Sequence, residues 1–173
     1  APLACCTLVS SWAPQWYQSL SLIFGTREHA DALDGPEEVR FTGSLATGIY
    51  TVDPVHSSFG FAVKYQGVSV YRGTLDEVAA TLTGGRLEGN AKVESISIRT
   101  PEQFRAHVLS PEFFDAANHP EVTFVSDELD LREDGTAKVT GELTIKGITK
   151  PVEATGTWTA PAADAFGNAR GHL

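Results

Sequence analysis

Methionine is absent from this chain of 173 residues, and cysteine is confined to one adjacent pair, Cys5 and Cys6. Neighbouring cysteines bridge each other only under strain, so the pair supplies neither a disulfide framework nor a zinc ligand set. It also leaves the redox compartment unread. No run of about 18 apolar residues occurs, so no membrane-crossing helix is expected. No Asn-x-Ser/Thr acceptor occurs either. Cations are scarce: 13 Lys and Arg stand against 22 Asp and Glu, a formal charge of −9. A surface of that sign repels phosphate backbones and anionic bilayers, so nucleic acid is not expected as a partner.

What is present is the balance of a globular protein, 42% hydrophobic and 20% charged, with 16 Gly and 9 Pro as frequent punctuation. The chain is long enough for one domain with a sizeable core. Residues 1–47 read differently from the rest. Leu3-Ala4-Cys5 is a faint match to a lipoprotein cleavage site without its upstream apolar stretch, and residues 27–40 allow a helical turn or two, ended by Gly35-Pro36. This segment is read as a weakly structured N-terminal extension, and residues 48–173 as the domain.

From Gly48 the pattern turns to strands. Phe59, Phe61, Val63 and Tyr65 alternate onto one face. Residues 68–82 read as a long strand broken at Arg72-Gly73, with Gly84-Gly85 as the following turn. In the return strand, Leu87 to Ile98, the apolar face changes between Val93 and Ile96, which suggests a bulge. Thr100 is placed to cap a helix that has Pro101 at its first position and Gln103 at the capping-box position; Phe104 and Val108 share one side, and Ser110-Pro111 ends it. Residues 121–127 form a strand with Val122 and Phe124 aligned, and Asp134-Gly135 is a turn. Val139, Gly141, Leu143 and Ile145 face one way, Thr140, Glu142, Thr144 and Lys146 the other. Val152, Ala154, Gly156 and Trp158 repeat the pattern across a hairpin at Lys146-Gly147. Repeated alternation with one short helix implies an antiparallel sheet, sandwich or barrel.

Asp53, His56 and Ser57 are the residue types of a nucleophilic triad, but adjacent His and Ser side chains diverge, and no Gly-x-Ser-x-Gly elbow occurs. A turn, with Asp53 accepting from nearby amides, is the simpler reading. Histidines 29, 56, 107, 119 and 172 make no ligand spacing, so no metal is expected. The aromatic set Phe59, Phe61, Tyr65, Phe124 and Trp158 is either ordinary core or the wall of an apolar cavity. In the second case His56, Arg72, Arg105 and His107 are the cations available for a polar head group.

Three blocks carry a family resemblance: YTVDPVHSSFGFAV with GVSVYRGTL, FRAHVLSPEFFDAANHPEVTF, and GELTIKGITKPV with the closing DAFGNARG. Over residues 49–172 the chain resembles the YceI-like family, the bacterial polyisoprenoid-binding, lipocalin-like proteins. The resemblance implies an all-β, up-and-down antiparallel barrel with one short helix and an apolar tunnel for an isoprenoid chain. It implies a non-enzymatic carrier of a polyprenyl or quinone-like lipid, with that lipid as partner and no cofactor. Phe59, Phe61, Val63, Val122, Phe124, Leu143, Ile145 and Trp158 are then the expected tunnel wall. A one-residue slip of register would turn them all outward. Two other readings stay open: a filled barrel whose strand edges recruit a partner, and a hydrolase using His56 and Ser57. A homodimer and either a cytoplasmic or an exported location are also left open. Three departures stand out. Tyr65 follows Lys64 where the family often has His, residues 1–47 have no counterpart, and the family's closing strands beyond the Gly-Asn-x-Arg-Gly turn are absent. The barrel is therefore expected to be incomplete at its C-terminus, with open edges.

Overall fold

The computed structural model describes residues 16–21, 23–26, 49–65, 69–163, 165 and 168–173, without the side chains of 16–26, 63–65 and 69. The readings placed on Cys5, Cys6 and residues 27–40 lie outside the described residues, as do the side chains of Val63 and Tyr65.

Among the described residues, twelve strands form two antiparallel sheets. Strands β1 (Trp16–Ser21), β4 (Ser58–Tyr65) and β5 (Ser69–Leu75) make a three-stranded sheet in the order β1-β4-β5. The larger, nine-stranded sheet holds β2 (Ile23–Thr26), β3 (Ile49–Val52), β6 (Val78–Thr83) and β7 (Arg86–Lys92). It also holds β8 (Glu121–Leu131), β9 (Thr136–Ile145), β10 (Ile148–Thr157), β11 (Thr159–Ala163) and β12 (Ala169–His172). Its order is β10-β9-β8-β7-β6-β3-β2-β12-β11. Strands β6 to β10 run as an up-and-down meander, and β10 and β11 are the two ends of the order, so the sheet is open rather than closed into a ring. Within the stretch read from sequence as an extension, β1 pairs with β4, and β2 lies between β3 and β12.

The alternation read from sequence sets the core. In β9, Ala137, Val139, Gly141 and Leu143 are buried between more exposed neighbours. Lys146 and Gly147 both have positive φ, 52° and 70°, which is the two-residue turn that matches strand twist. Gly84 and Gly85 do the same between β6 and β7. In β8 the buried positions shift from Val122, Phe124 and Ser126 to Leu129 and Leu131, because a bulge between Ser126 and Glu128 inserts one residue. The Ser126 hydroxyl, buried at this bulge, accepts the Leu87 N–H at 2.7 Å.

Three local expectations are corrected. The break in the 68–82 stretch falls at Asp76-Glu77, and Arg72-Gly73 lie inside β5, where Gly73 leaves room for a ring: a Cβ there would sit 2.6 Å from Phe61 Cζ. The face change after β7 is made by a 3-10 turn, Val93–Ser95, rather than a bulge; it brings Ile96 into a bridge with Leu75. Helix α1 spans Glu102–Leu109, so Pro101 is its N-cap and Thr100 lies outside it; the Pro101 carbonyl accepts the Phe104 and Arg105 N–H groups, and no side chain caps the end.

Candidate ligand-binding interior

Both sheets turn apolar side chains into one cluster. Phe59 and Phe61 of β4 and Leu75 of β5 join Val122, Phe124 and Leu129 of β8 and Val139 and Leu143 of β9, all of them buried. Ile145, Val152 and Trp158 pack against this cluster, partly buried. Of the residues expected to form the interior wall, Phe59, Phe61, Val122, Phe124 and Leu143 are therefore inside together, with Ile145 and Trp158 at the margin.

At the end of the sheet nearest α1 the interior is aromatic. The Phe61 ring meets Phe114 edge-on at 5.6 Å between centroids and Tyr71 at 6.2 Å. Tyr71 in turn takes the edge of Phe104 at 5.7 Å, and Phe113 packs on His107 at 5.1 Å. Burial of the Tyr71 phenol raises its pKa above the ordinary tyrosine value. Opposite this group the β9–β10 turn is latched down. Lys146 Nζ donates to the Pro111 carbonyl at 2.5 Å, and His119 lies against Gly147, where a Cβ would come within 2.7 Å of its ring.

The other end closes on Trp158. Its backbone N–H donates to the Gly135 carbonyl at 2.9 Å and its indole N–H to the Arg132 carbonyl at 2.7 Å. Beneath it an apolar cavity of about 20 Å³, the room of one water, is lined by Tyr50, Leu82, Leu131, His172 and Leu173 among others. Burial holds the His172 imidazole below the usual histidine pKa.

The four cations proposed for a head group have separate surroundings. His56 gives its Nδ1 to Asp53 at 2.9 Å, Arg105 donates to the Glu94 carbonyl at 2.7 Å, and His107 lies 3.5 Å from Glu112. Arg72 is exposed on β5, next to the inward Tyr71. The Asp53 segment is a turn. Asp53 accepts the Val55 N–H at 2.9 Å through its side chain, and its carbonyl accepts the His56 N–H. The His56 side chain is 60% exposed, whereas Ser57 is buried. Asp53 also binds Arg170 of β12 at 2.5 Å. The bond to His56, the Val55 amide and Arg170 together hold its pKa at about 2, down from 3.8. The first and last motif blocks thus meet across 117 positions of sequence. Among the described residues no cluster of His, Cys, Asp and Glu could hold a metal ion, and no helix is long and apolar enough to cross a membrane.

Residues 50–173 match the YceI-like domain. The chain belongs to the YceI-like family. It is 28% identical over 136 residues to a UPF0312 protein of Pseudomonas savastanoi pv. phaseolicola, covering 74% of this chain and 71% of that protein. To a UPF0312 protein of Shewanella denitrificans it is 28% identical over 130 residues, covering 70% and 68%. Among solved structures, Burkholderia cenocepacia BcnA aligns with a TM-score of 0.56 at 20% identity, over 70% of this chain and 97% of that one. The Campylobacter jejuni YCEI protein aligns at 0.53 and 21%, over 61% of this chain and 66% of that chain, just under two thirds of its length. These likenesses establish the fold, antiparallel sheet with one helix.

Sequence reasoning passed over Tyr71, Phe104, Phe113 and Phe114 as interior and rim aromatics. The alternation Tyr71, Gly73, Leu75 within β5 was the available signal for the first, obscured by reading Arg72-Gly73 as a break.

Proposed function

We propose that this YceI-like domain is a carrier that holds the apolar chain of a long isoprenoid lipid between its two sheets. The observation that carries the reading is the single apolar cluster to which both sheets contribute, with Phe59 and Phe61 on one and Val122, Phe124 and Leu143 on the other. The fold family supports it. An isoprenoid chain offers only apolar area and is held by its removal from water, at about 25 cal/mol per Å². Such a ligand needs a long hydrophobic wall and few directed polar groups, which is what these strands supply. No step of chemistry is assigned to His56 or Ser57.

Titration with a fluorescently labelled polyprenol tests the reading. Saturable binding, weakened at least tenfold in Ile145→Gln with circular dichroism unchanged, is expected. Binding that is absent, or indifferent to an amide placed beside the cluster, would contradict it. A second reading is favoured by one observation: β10 is an edge strand of ten residues with Ile148 52% exposed, a surface on which a partner's strand could pair. Its Lys150, Pro151 and Glu153 are the residues that discourage such pairing, which ranks this reading second.

A further inference from the structure

The outer edge of β5 is held in two different ways along its length. Near its C-terminal end it is stitched to the chain after the 3-10 turn. Ser97 N–H donates to the Thr74 carbonyl at 2.8 Å, Thr74 N–H to the Ser97 hydroxyl at 2.9 Å, and Asp76 N–H to the Ser95 carbonyl at 3.2 Å. Nearer its N-terminal end, among the described residues, β5 meets α1 through the edge-to-face pair of Tyr71 and Phe104. A ring pair is worth about 0.5–1.5 kcal/mol and parts without stranding a polar group, whereas a buried backbone ladder does not.

The helix itself is short. It has eight residues and no side-chain cap on its first turn; Val108 is buried, Leu109 packs partly buried against the core, and Arg105 donates to the Glu94 carbonyl. Helices this short owe their stability to packing rather than to propensity. The loop that follows is pinned as well: Lys146 binds the Pro111 carbonyl, and the Asn118 side-chain amide donates to the two Asp115 carboxylate oxygens at 3.0 and 3.1 Å. Across the α1–β5 seam, aromatic rings descend without interruption from surface to core. Phe104 is 39% exposed, Tyr71 is partly buried, and Phe61 and Phe114 are 5% and 4% exposed.

We propose that the α1–β5 seam, at the Tyr71–Phe104 pair, is the doorway through which the apolar chain of the ligand enters and leaves the interior. The proposal rests on the carrier reading above and names the path to that same site. An isoprenoid chain entering there exchanges ring–ring contact for ring–chain contact as it passes the outer edge of β5.

A doorway differs from a wall in its kinetics. Removing a contact made in the bound state changes mainly the dissociation rate. Lowering a barrier between two unchanged end states changes association and dissociation together. The test is stopped-flow mixing of the full chain with labelled polyprenol, and chase with unlabelled polyprenol, in the wild type, Phe104→Ala and Val55→Ala, the last at an apolar residue 81% exposed outside the interior. Expected are three- to tenfold rises in both rates for Phe104→Ala with Kd changed less than twofold, and unchanged rates for Val55→Ala. Wild-type binding with rates unmoved in Phe104→Ala, or moved equally in Val55→Ala, would overturn the doorway while leaving the carrier reading intact. A rise confined to dissociation would make Phe104 part of the wall and also overturn it. Failure of the wild type to bind would overturn the carrier reading, and the doorway with it.

Discussion

The centre of the large sheet and the seam beside α1 are built from the same kinds of residue and yield differently. At Gly141 in β9 a Cβ would lie 2.3 Å from the Val125 carbonyl oxygen and 2.7 Å from Ser126 Cα, both backbone atoms of β8. At Gly73 in β5 the nearest atoms it would meet all belong to the ring of Phe61. Backbone locked in a ladder cannot step aside, and a ring can. The contrast separates a rigid position, set against the backbone of β8, from a yielding one, set against a side chain of β4.

Four substitutions grade that contrast. Gly141→Ala should be the most damaging, by about 3 kcal/mol or more, because β8 must shift at its bulge; urea unfolding measures it. Gly73→Ala should cost about 1–2 kcal/mol, since the Phe61 ring can rotate inward. If the two costs were equal in the same assay, the distinction between a rigid and a yielding position would be wrong. Asp53→Asn should cost about 1–2 kcal/mol near neutral pH, through its bonds to Arg170 and His56. Because the folded pKa of Asp53 is about 2 against 3.8 unperturbed, its contribution is complete above about pH 4. It is lost as pH falls through 2, so the wild type and Asp53→Asn should converge in urea unfolding there. Phe104→Ala should cost least, under about 1 kcal/mol by thermal unfolding, since the ring is 39% exposed.

How much of this was legible in the sequence follows the range of the forces. The hairpin of β9 and β10 is written in strict alternation around Lys146-Gly147, so its turn and its buried face could be read directly. The continuation of β8 past Asp127 could not, because the bulge at Ser126 moves the apolar positions by one and puts a serine inside. The helix start was misplaced by the preference of threonine for caps, whereas the Pro101 carbonyl does that work. The meeting of Asp53 with Arg170 depends on the folding of β12 against β2 and on no local signal. The buried face was legible where strands alternate, in Phe59, Phe61, Val122, Phe124 and Leu143. The aromatic pairing of α1 with β5 was not, because Tyr71 and Phe104 lie on elements distant in sequence.

The central claim is that the shared apolar interior of the two sheets holds an isoprenoid chain. Native mass spectrometry of the purified full chain, with organic extraction of what it releases after exposure to mixed polyprenols, tests it most directly. The account predicts a bound population whose extracted masses differ by isoprene units. Folded protein that shows only its bare mass after the same exposure would contradict it.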